Sequence, residues 1–482
     1  MRRNAIFLLI WCLCSASAAF SQRPNGTGKA APIVPGAQVT ARPEMAEAVR
    51  AEFVHSWEAY KRYAWGHDEL KPLSNSYHDW YGASLLMTPV DALDTLLLMG
   101  LNTQADEARE LIATNLSLNQ DIYVKNFEIT IRLLGGLLST YSLTGDKRLL
   151  ALAEDLGKRL LPAFDSPTGM PYVEVNLKSG KVRNPNTNPA EIGTLLLEFG
   201  TLSKLTGNDI YYDKAKRALV ELYKRRSSIG LVGSSINVET GKWTDPTSHI
   251  GGGIDSYYEY QLKCWLLFGD KDCLDMWDSS IAAVNKYLAD ETATGLWYGQ
   301  ADMNTGKRIA HEFGALDAFF PGTLALSGDI DRARKLEDSA FVMWNRYGIE
   351  PEEFDYQKMS ITANGYALRP EIIESAFYLH RATGDRRYLE MGQTFFDDLV
   401  KYCRTKTAYA ALKDVEKKTQ RDEMESFFLA ETLKYLYLLF SPPDKLDLSK
   451  FVFNTEAHPL PRHSHNVSTK SQPTGMEGKR DH

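Results

Sequence analysis

The chain has 482 residues and a formal net charge of −7, from 55 Lys and Arg against 62 Asp and Glu. Without a basic stripe or polybasic run, that balance argues against a nucleic-acid partner and leaves neutral polar or cationic ligands. Of its five cysteines, Cys12 and Cys14 fall in the leader, so Cys264, Cys273 and Cys403 can form at most one disulfide, with Cys264 and Cys273 the only near pair.

At the N-terminus, Arg2 and Arg3, an apolar run from Ala5 to Cys14 and the small residues that follow read as a secretory signal peptide over residues 1–21. The run is short for a membrane span, so export without stable membrane insertion is expected: periplasmic or secreted in a bacterium, the secretory-pathway lumen in a eukaryote. Residues 22–42 read as a flexible lead-in and residues 461–482 as a disordered polar tail. No linker rich in Pro, Gly or Ser divides residues 43–460, which are expected to form one domain. Asn25, Asn115 and Asn466 head glycosylation sequons, a number near chance for this length.

Within that domain a turn recurs about every 60 residues, at Gly100, Gly145, Gly207, Gly269, Gly328, Gly384 and the Ser441-Pro442-Pro443 break. At five of these an apolar helix stops at a Gly suited to a left-handed C-cap, and Asp or Asn then starts an amphipathic helix. Seven helical hairpins, suggesting a closed ring, are the expected outcome of an all-α chain, each hairpin burying its apolar helix against its neighbours.

Carboxylates keep a similar phase ahead of the turns: Glu128, Glu191, Asp255, Glu371 and Glu425. If the apolar helices run parallel around the ring, their N-terminal ends share one rim and these acids converge on it. Glu128 and Arg132, four apart, form either a general acid with its partner or a structural ion pair. Asp255 follows three glycines and shares a helical face with Glu259; it is either a site acid or a helix N-cap. Pro370 suits the first position of a helix, which puts Glu371 and Glu374 in its first turn, where the helix dipole favours the ionised form a general base needs; an ordinary acidic first turn is the rival. Phe427 and Glu431 share a face, as a sugar seat or as core plus surface. The segment from Phe451 to Arg462 is apolar and Pro-stopped and should tuck in as a plug, offering Thr455 and Glu456 as oxygen ligands for a hard cation, with His458 structural. Phosphate loops, nucleophile elbows and His-Glu-x-x-His are absent, which leaves carboxylate chemistry.

The ordered strings AWGHDELKPLS, VDALDTLLLMGL, FEITIRLLGGLLS, DSYYEYQLK, FFPGTLAL, LRPEIIES, MESFFLAETLKY and FNTEAHPL resemble glycoside hydrolase family 47, the class I α-1,2-mannosidases, from about Ala46 to Leu460. The resemblance implies an (α/α)7 barrel that removes terminal α-1,2-linked mannose from mannosides or high-mannose N-glycans, with inversion and with Ca2+ bound to the sugar hydroxyls. It implies Glu371 as the base, Glu128 as the acid, Asp255 as a competing or assisting acid, and Thr455 as the direct protein ligand of Ca2+. Glu374, Glu425, Glu431 and Glu456 would hold the ion's waters or the mannose, Phe427 would stack on the sugar, Arg132 would support the acid, and Glu191 and Arg369 would complete the substrate contacts. Gly253 stands where members trimming a single mannose carry an Arg, Gly314 and Ala315 replace polar residues, and Ala318 replaces a disulfide cysteine, which brings the chain closer to bacterial or degradation-enhancing members. A monomer is expected. The alternatives are a mannose-binding quality-control protein with little or no hydrolysis and a six-hairpin glycosidase of other specificity.

Overall fold

A computed structural model describes residues 39–462. The expected signal peptide, most of the lead-in and most of the polar tail lie outside the described residues. Fourteen helices carry the fold: α1 Pro43–Tyr63, α2 Met87–Leu98, α3 Asn102–Asn115, α4 Gly135–Thr144, α5 Lys147–Leu160, α6 Leu196–Thr206, α7 Ile210–Lys224, α8 Asp255–Phe268, α9 Lys271–Tyr287, α10 Phe320–Ser327, α11 Ile330–Tyr347, α12 Glu371–Thr383, α13 Arg387–Tyr402 and α14 Leu433–Phe440. The even-numbered helices form the inner ring. Each packs on the next, and the π-helical turn Phe428–Thr432 that leads into α14 closes back onto α2. The odd-numbered helices form the outer ring, and the chain is an (α/α)7 barrel.

Composition separates the two rings. In α14 every residue is buried, whereas α5 buries Leu149, Ala153, Leu156, Gly157 and Leu160, one stripe at helical spacing. The glycines predicted to end the inner helices do so: Gly100, Gly145, Gly207, Gly269, Gly328 and Gly384 all have positive φ, between 69° and 89°. Asp146, Asp270 and Asp329 then accept backbone N–H bonds at the starts of α5, α9 and α11. The seventh beat behaves differently. Ser441-Pro442-Pro443 joins no hairpin, and the outer partner of α14 is α1, from the other end of the chain. Cys264 and Cys273 are joined as a disulfide across the turn between α8 and α9, and Cys403 is free and buried.

After α14 the chain makes an antiparallel hairpin, Phe451–Phe453 with Pro459–Pro461. It enters where the inner helices end, beside Leu266 and Leu326, and drives its tip, 454–458, up the middle of the ring. Gly135 opens the lane for it, since a Cβ there would stand 2.7 Å from Asn454 Nδ2 and 2.9 Å from His458 Cδ2. The tip is tied down on several sides. Asn454 Nδ2 donates to Glu198 Oε1 at 2.8 Å and to the Ile131 carbonyl at 2.9 Å. His458, fully buried, lies between Asp94 Oδ2 at 2.7 Å and Asp91 Oδ1 at 3.1 Å, and Lys434 Nζ stands 2.8 Å from Asp94 Oδ1 while donating to the Ala457 carbonyl at 2.6 Å. Against the opposing effect of burial, both aspartates raise the pKa of His458, and they are themselves held below the usual carboxylate range by it and by Lys434 or Arg132. His458 is therefore structural, as its sequence context suggests, and the plug is anchored by charge pairs in a dry core.

Candidate active site

At the opposite end of the barrel the inner helices begin, and short two- and three-stranded sheets wall the rim. A cavity of about 290 Å3 opens there. The turns leading into α4 supply Phe127, Glu128, Ile131 and Arg132; the turn before α6 supplies Asn188, Ala190 and Glu191. The glycine turn and first residues of α8 add Gly252, Gly253, Asp255, Ser256 and Glu259, and the segment before α10 adds Leu316 and Phe319. Arg369, Pro370, Glu371 and Glu374 come from the start of α12, Phe427 and Glu431 from the approach to α14, and Thr455 and Glu456 from the plug tip. Two of these contributions come from π-helical turns, Thr130–Leu134 and Phe428–Thr432, where one extra residue per turn re-aims Arg132 and Glu431 inward.

Of the residues singled out in the sequence, Glu128, Arg132, Glu191, Asp255, Arg369, Glu371, Glu374, Phe427, Glu431, Thr455 and Glu456 all line this cavity; Glu425 does not. Glu425 precedes the helical register and lines an adjoining groove with Glu69, Trp80 and Tyr81, into which Glu128 also faces. Glu69 accepts from Ser426 N at 3.2 Å, and burial together with the Glu425 charge pushes its carboxyl well up. Of the aromatics next to these acids in the chain, Phe127 and Phe427 reach the cavity, whereas Tyr257, Tyr258 and Phe428 belong to the core. Residues the sequence reading missed include Asn188, Leu316 and Phe319; the triple glycine, which needs a close neighbour, was the available signal for Leu316.

Eight carboxyl groups line the cavity against two guanidiniums, so the site is rich in acids. Arg132 lies over the rings of Trp80 and Phe427, at 5.3 and 5.6 Å, with Nε 3.1 Å from Glu128 Oε2 and Nη1 paired with Glu456. Arg369 lies 5.6 Å from the Phe427 ring centre and holds Glu352 through two contacts, at 3.0 and 3.1 Å. Burial dominates the acids. It pushes Glu371 up to about 7 against the pull of Arg369, so the helix dipole does not decide its charge as the sequence suggested. Burial pushes Asp255 up to about 6 against hydrogen bonds from Ser256, whose N–H donates at 2.6 Å. Glu374 rises to about 8 despite Lys263 3.8 Å away, and burial plus the neighbouring carboxyls raise Glu431.

This donor set fits a hard divalent cation. Oxygen is the ligand type throughout, Glu371 Oε2 is buried with no protein partner, and the Thr455 hydroxyl makes no hydrogen bond to the protein among the described residues. No three cavity carboxylates among the described residues bring oxygens close enough to grip one ion directly.

Two concentric rings of helices with carboxylates converging on one rim cavity make this an (α/α)7 barrel with an acid-lined site, the arrangement a glycoside hydrolase uses. The family model of glycosyl hydrolase family 47 matches residues 52–462. Alpha-mannosidase I MNS5 of Arabidopsis thaliana is 40% identical over 449 residues, spanning 86% of this chain and 77% of that protein. Human ER degradation-enhancing alpha-mannosidase-like protein 2 is 39% identical over 451 residues, spanning 86% and 77%. Among solved structures, the alpha-1,2-mannosidase from Trichoderma reesei superposes with a TM-score of 0.82 at 30% identity, covering 88% of this chain and all of that one. The chain belongs to glycosyl hydrolase family 47.

Proposed function

We propose that this glycoside hydrolase removes terminal α-1,2-linked mannose from mannosides or high-mannose N-glycans, with inversion at the anomeric carbon and with Ca2+ as cofactor. The observation that carries the reading is the convergence of Glu128, Asp255 and Glu371, from three different inner helices or their lead-in turns, on one cavity floored by Thr455. The Arabidopsis relative named mannosyl-oligosaccharide 1,2-alpha-mannosidase MNS1, 39% identical over 437 residues, supports the substrate.

In this scheme Glu371 takes a proton from a water as that water's oxygen bonds to the anomeric carbon, and Glu128 or Asp255 gives a proton to the departing glycosidic oxygen. Inversion requires acid and base on either side of the scissile bond with room for the water, and placing them on different helices around a ring provides for that. The free Oε2 of Glu371 is the available proton acceptor. Phe427 lines the cavity, with Arg132 and Arg369 each 5.6 Å from its ring centre, and would give the sugar an apolar contact. Ca2+ would be held by Thr455 and, through water, by Glu374, Glu431 and Glu456, and would supply electrostatic stabilisation at the sugar hydroxyls. Residues 1–21 would direct export, and no described helix is long and apolar enough to cross a membrane.

The degradation-enhancing relatives keep a second reading in play, a mannose-binding protein with little hydrolysis. Incubation with α-1,2-mannobioside, with and without EDTA, separates the two. Chelator-sensitive release of mannose supports the enzyme, and binding without release overturns it. Proton NMR of the first-formed sugar must show β-mannose; initial α-mannose rules out inversion.

A further inference from the structure

The three glycines before Asp255 each meet a different constraint. Gly253 has φ of +90°, a conformation that side chains with a Cβ rarely take. A Cβ on Gly252 would stand 2.7 Å from Leu316 Cδ1. One on Gly251 would stand 2.5 Å from Asp317 Oδ2 and 2.9 Å from its Oδ1. The Leu316–Asp317 segment therefore sits directly on the turn. That turn sets the start of α8: the Gly251 carbonyl accepts from the N–H groups of Ile254 and Asp255, both at 3.0 Å. Asp317 is itself fixed by the Gly314 N–H, which donates to its Oδ2 at 3.0 Å, and it has no cationic partner among the described residues. Its neighbour Leu316 lines the cavity. The Asp317 carboxyl is pushed up to about 8 by burial, with the Asp255 charge adding to the rise.

We infer that Asp317 is a positioning residue for the reaction: wedged between the Gly314 turn and Gly251, it holds the first turn of α8 so that the Asp255 carboxyl keeps one orientation in the cavity. This rests on the reading that Asp255 takes part in hydrolysis. The turn is otherwise held through its backbone, the Gly253 carbonyl accepting from Ala190 N–H at 3.0 Å, and Asp317 is the side chain that abuts Gly251. A shift of about 1 Å at a reacting group can cost about 100-fold in rate.

The test uses the full chain and mannose release from α-1,2-mannobioside. Asp317→Ala is expected to lower kcat about 10- to 100-fold with KM changed less than about 3-fold. Asp317→Asn, which keeps the shape and an acceptor for Gly314 N–H, is expected to stay within about 3-fold of wild type. Gly251→Ala alone places a methyl group against the Asp317 carboxyl and should lower kcat. Combined with Asp317→Ala the collision is gone, so the double variant should be no worse than Asp317→Ala, a non-additive pair. Wild-type kcat in Asp317→Ala, additive effects in the pair, or loss tracking only the unfolded fraction in denaturant titrations overturns the proposal. Asp255→Asn is measured alongside: if it is inactive while Asp317→Ala is unimpaired, only the positioning role falls, and if it is fully active, the role of Asp255 falls and the positioning role with it.

Discussion

Lys434→Met tests how the plug is held. The ammonium of Lys434 is wholly buried, 2.8 Å from Asp94 Oδ1, and donates to the Ala457 carbonyl in the hairpin tip. Asp94 is held down to about 2, against an ordinary value of 3.8. At about 1.4 kcal/mol per pH unit, that shift corresponds to about 2.5 kcal/mol of stability at neutral pH, shared between Lys434 and His458. Removing the lysine also leaves a buried carboxylate short of a partner, and breaking a buried pair from one side costs about 3–5 kcal/mol. The larger figure governs, because the site is dry and the methionine cannot donate. Guanidinium titrations at pH 7 should show the unfolding midpoint of Lys434→Met well below wild type, and Asp94→Asn/Lys434→Met should recover about 1–3 kcal/mol of the loss. The pH dependence follows in sign. A depressed carboxyl stabilises the fold above its ordinary value, and that stability fades as pH falls from about 4 toward about 2, so wild type should lose its advantage over the double variant in that window. A midpoint for Lys434→Met equal to wild type, or a double variant no more stable than the single one, refutes the reasoning.

Glu371→Gln should lower kcat by about 10²–10⁴ while leaving mannobioside binding by calorimetry within a few-fold, and equal loss of binding would point to a structural defect instead. Thr455→Val should weaken Ca2+ binding measured by calorimetry at least about 10-fold, with mannose release falling in step; undiminished affinity excludes Thr455 as a ligand. Glu350 is buried with neither carboxyl oxygen partnered by the protein, and its proton is held well above the ordinary range by burial and by the Glu371 charge. A raised carboxyl makes the fold less stable as pH climbs past the unfolded value, so Glu350→Gln should raise the unfolding midpoint more at pH 8 than at pH 5, by about 1–2 kcal/mol; a gain confined to pH 5 would contradict this.

Much of the site was legible because helix periodicity is a local property. Glu371 and Glu374 face inward together because they are three apart after a helix-starting proline, and Thr455 reaches the floor because a Pro-stopped apolar tail had nowhere else to bury itself. Glu425 lies in the adjoining groove, which phase counted from a distant turn could not foresee, because it precedes the π-helical turn at Phe428–Thr432 and stands outside the helical register. The charge state of Glu371 was likewise out of reach: the helix dipole is written in the sequence, whereas burial, which outweighs it, is not.

The sequence by itself determined the number of inner helices, their glycine stops, the inward-facing acids and the family motifs, since each depends on residues within one turn or one hairpin of each other. Only the tertiary structure decided what lies between residues far apart in the chain. The seventh outer helix comes from the N-terminus, His458 meets Asp91 and Asp94, and Asp317 rests on Gly251. Those contacts form only when the ring closes, and the low dielectric that closure creates is what shifts the carboxyls of the cavity.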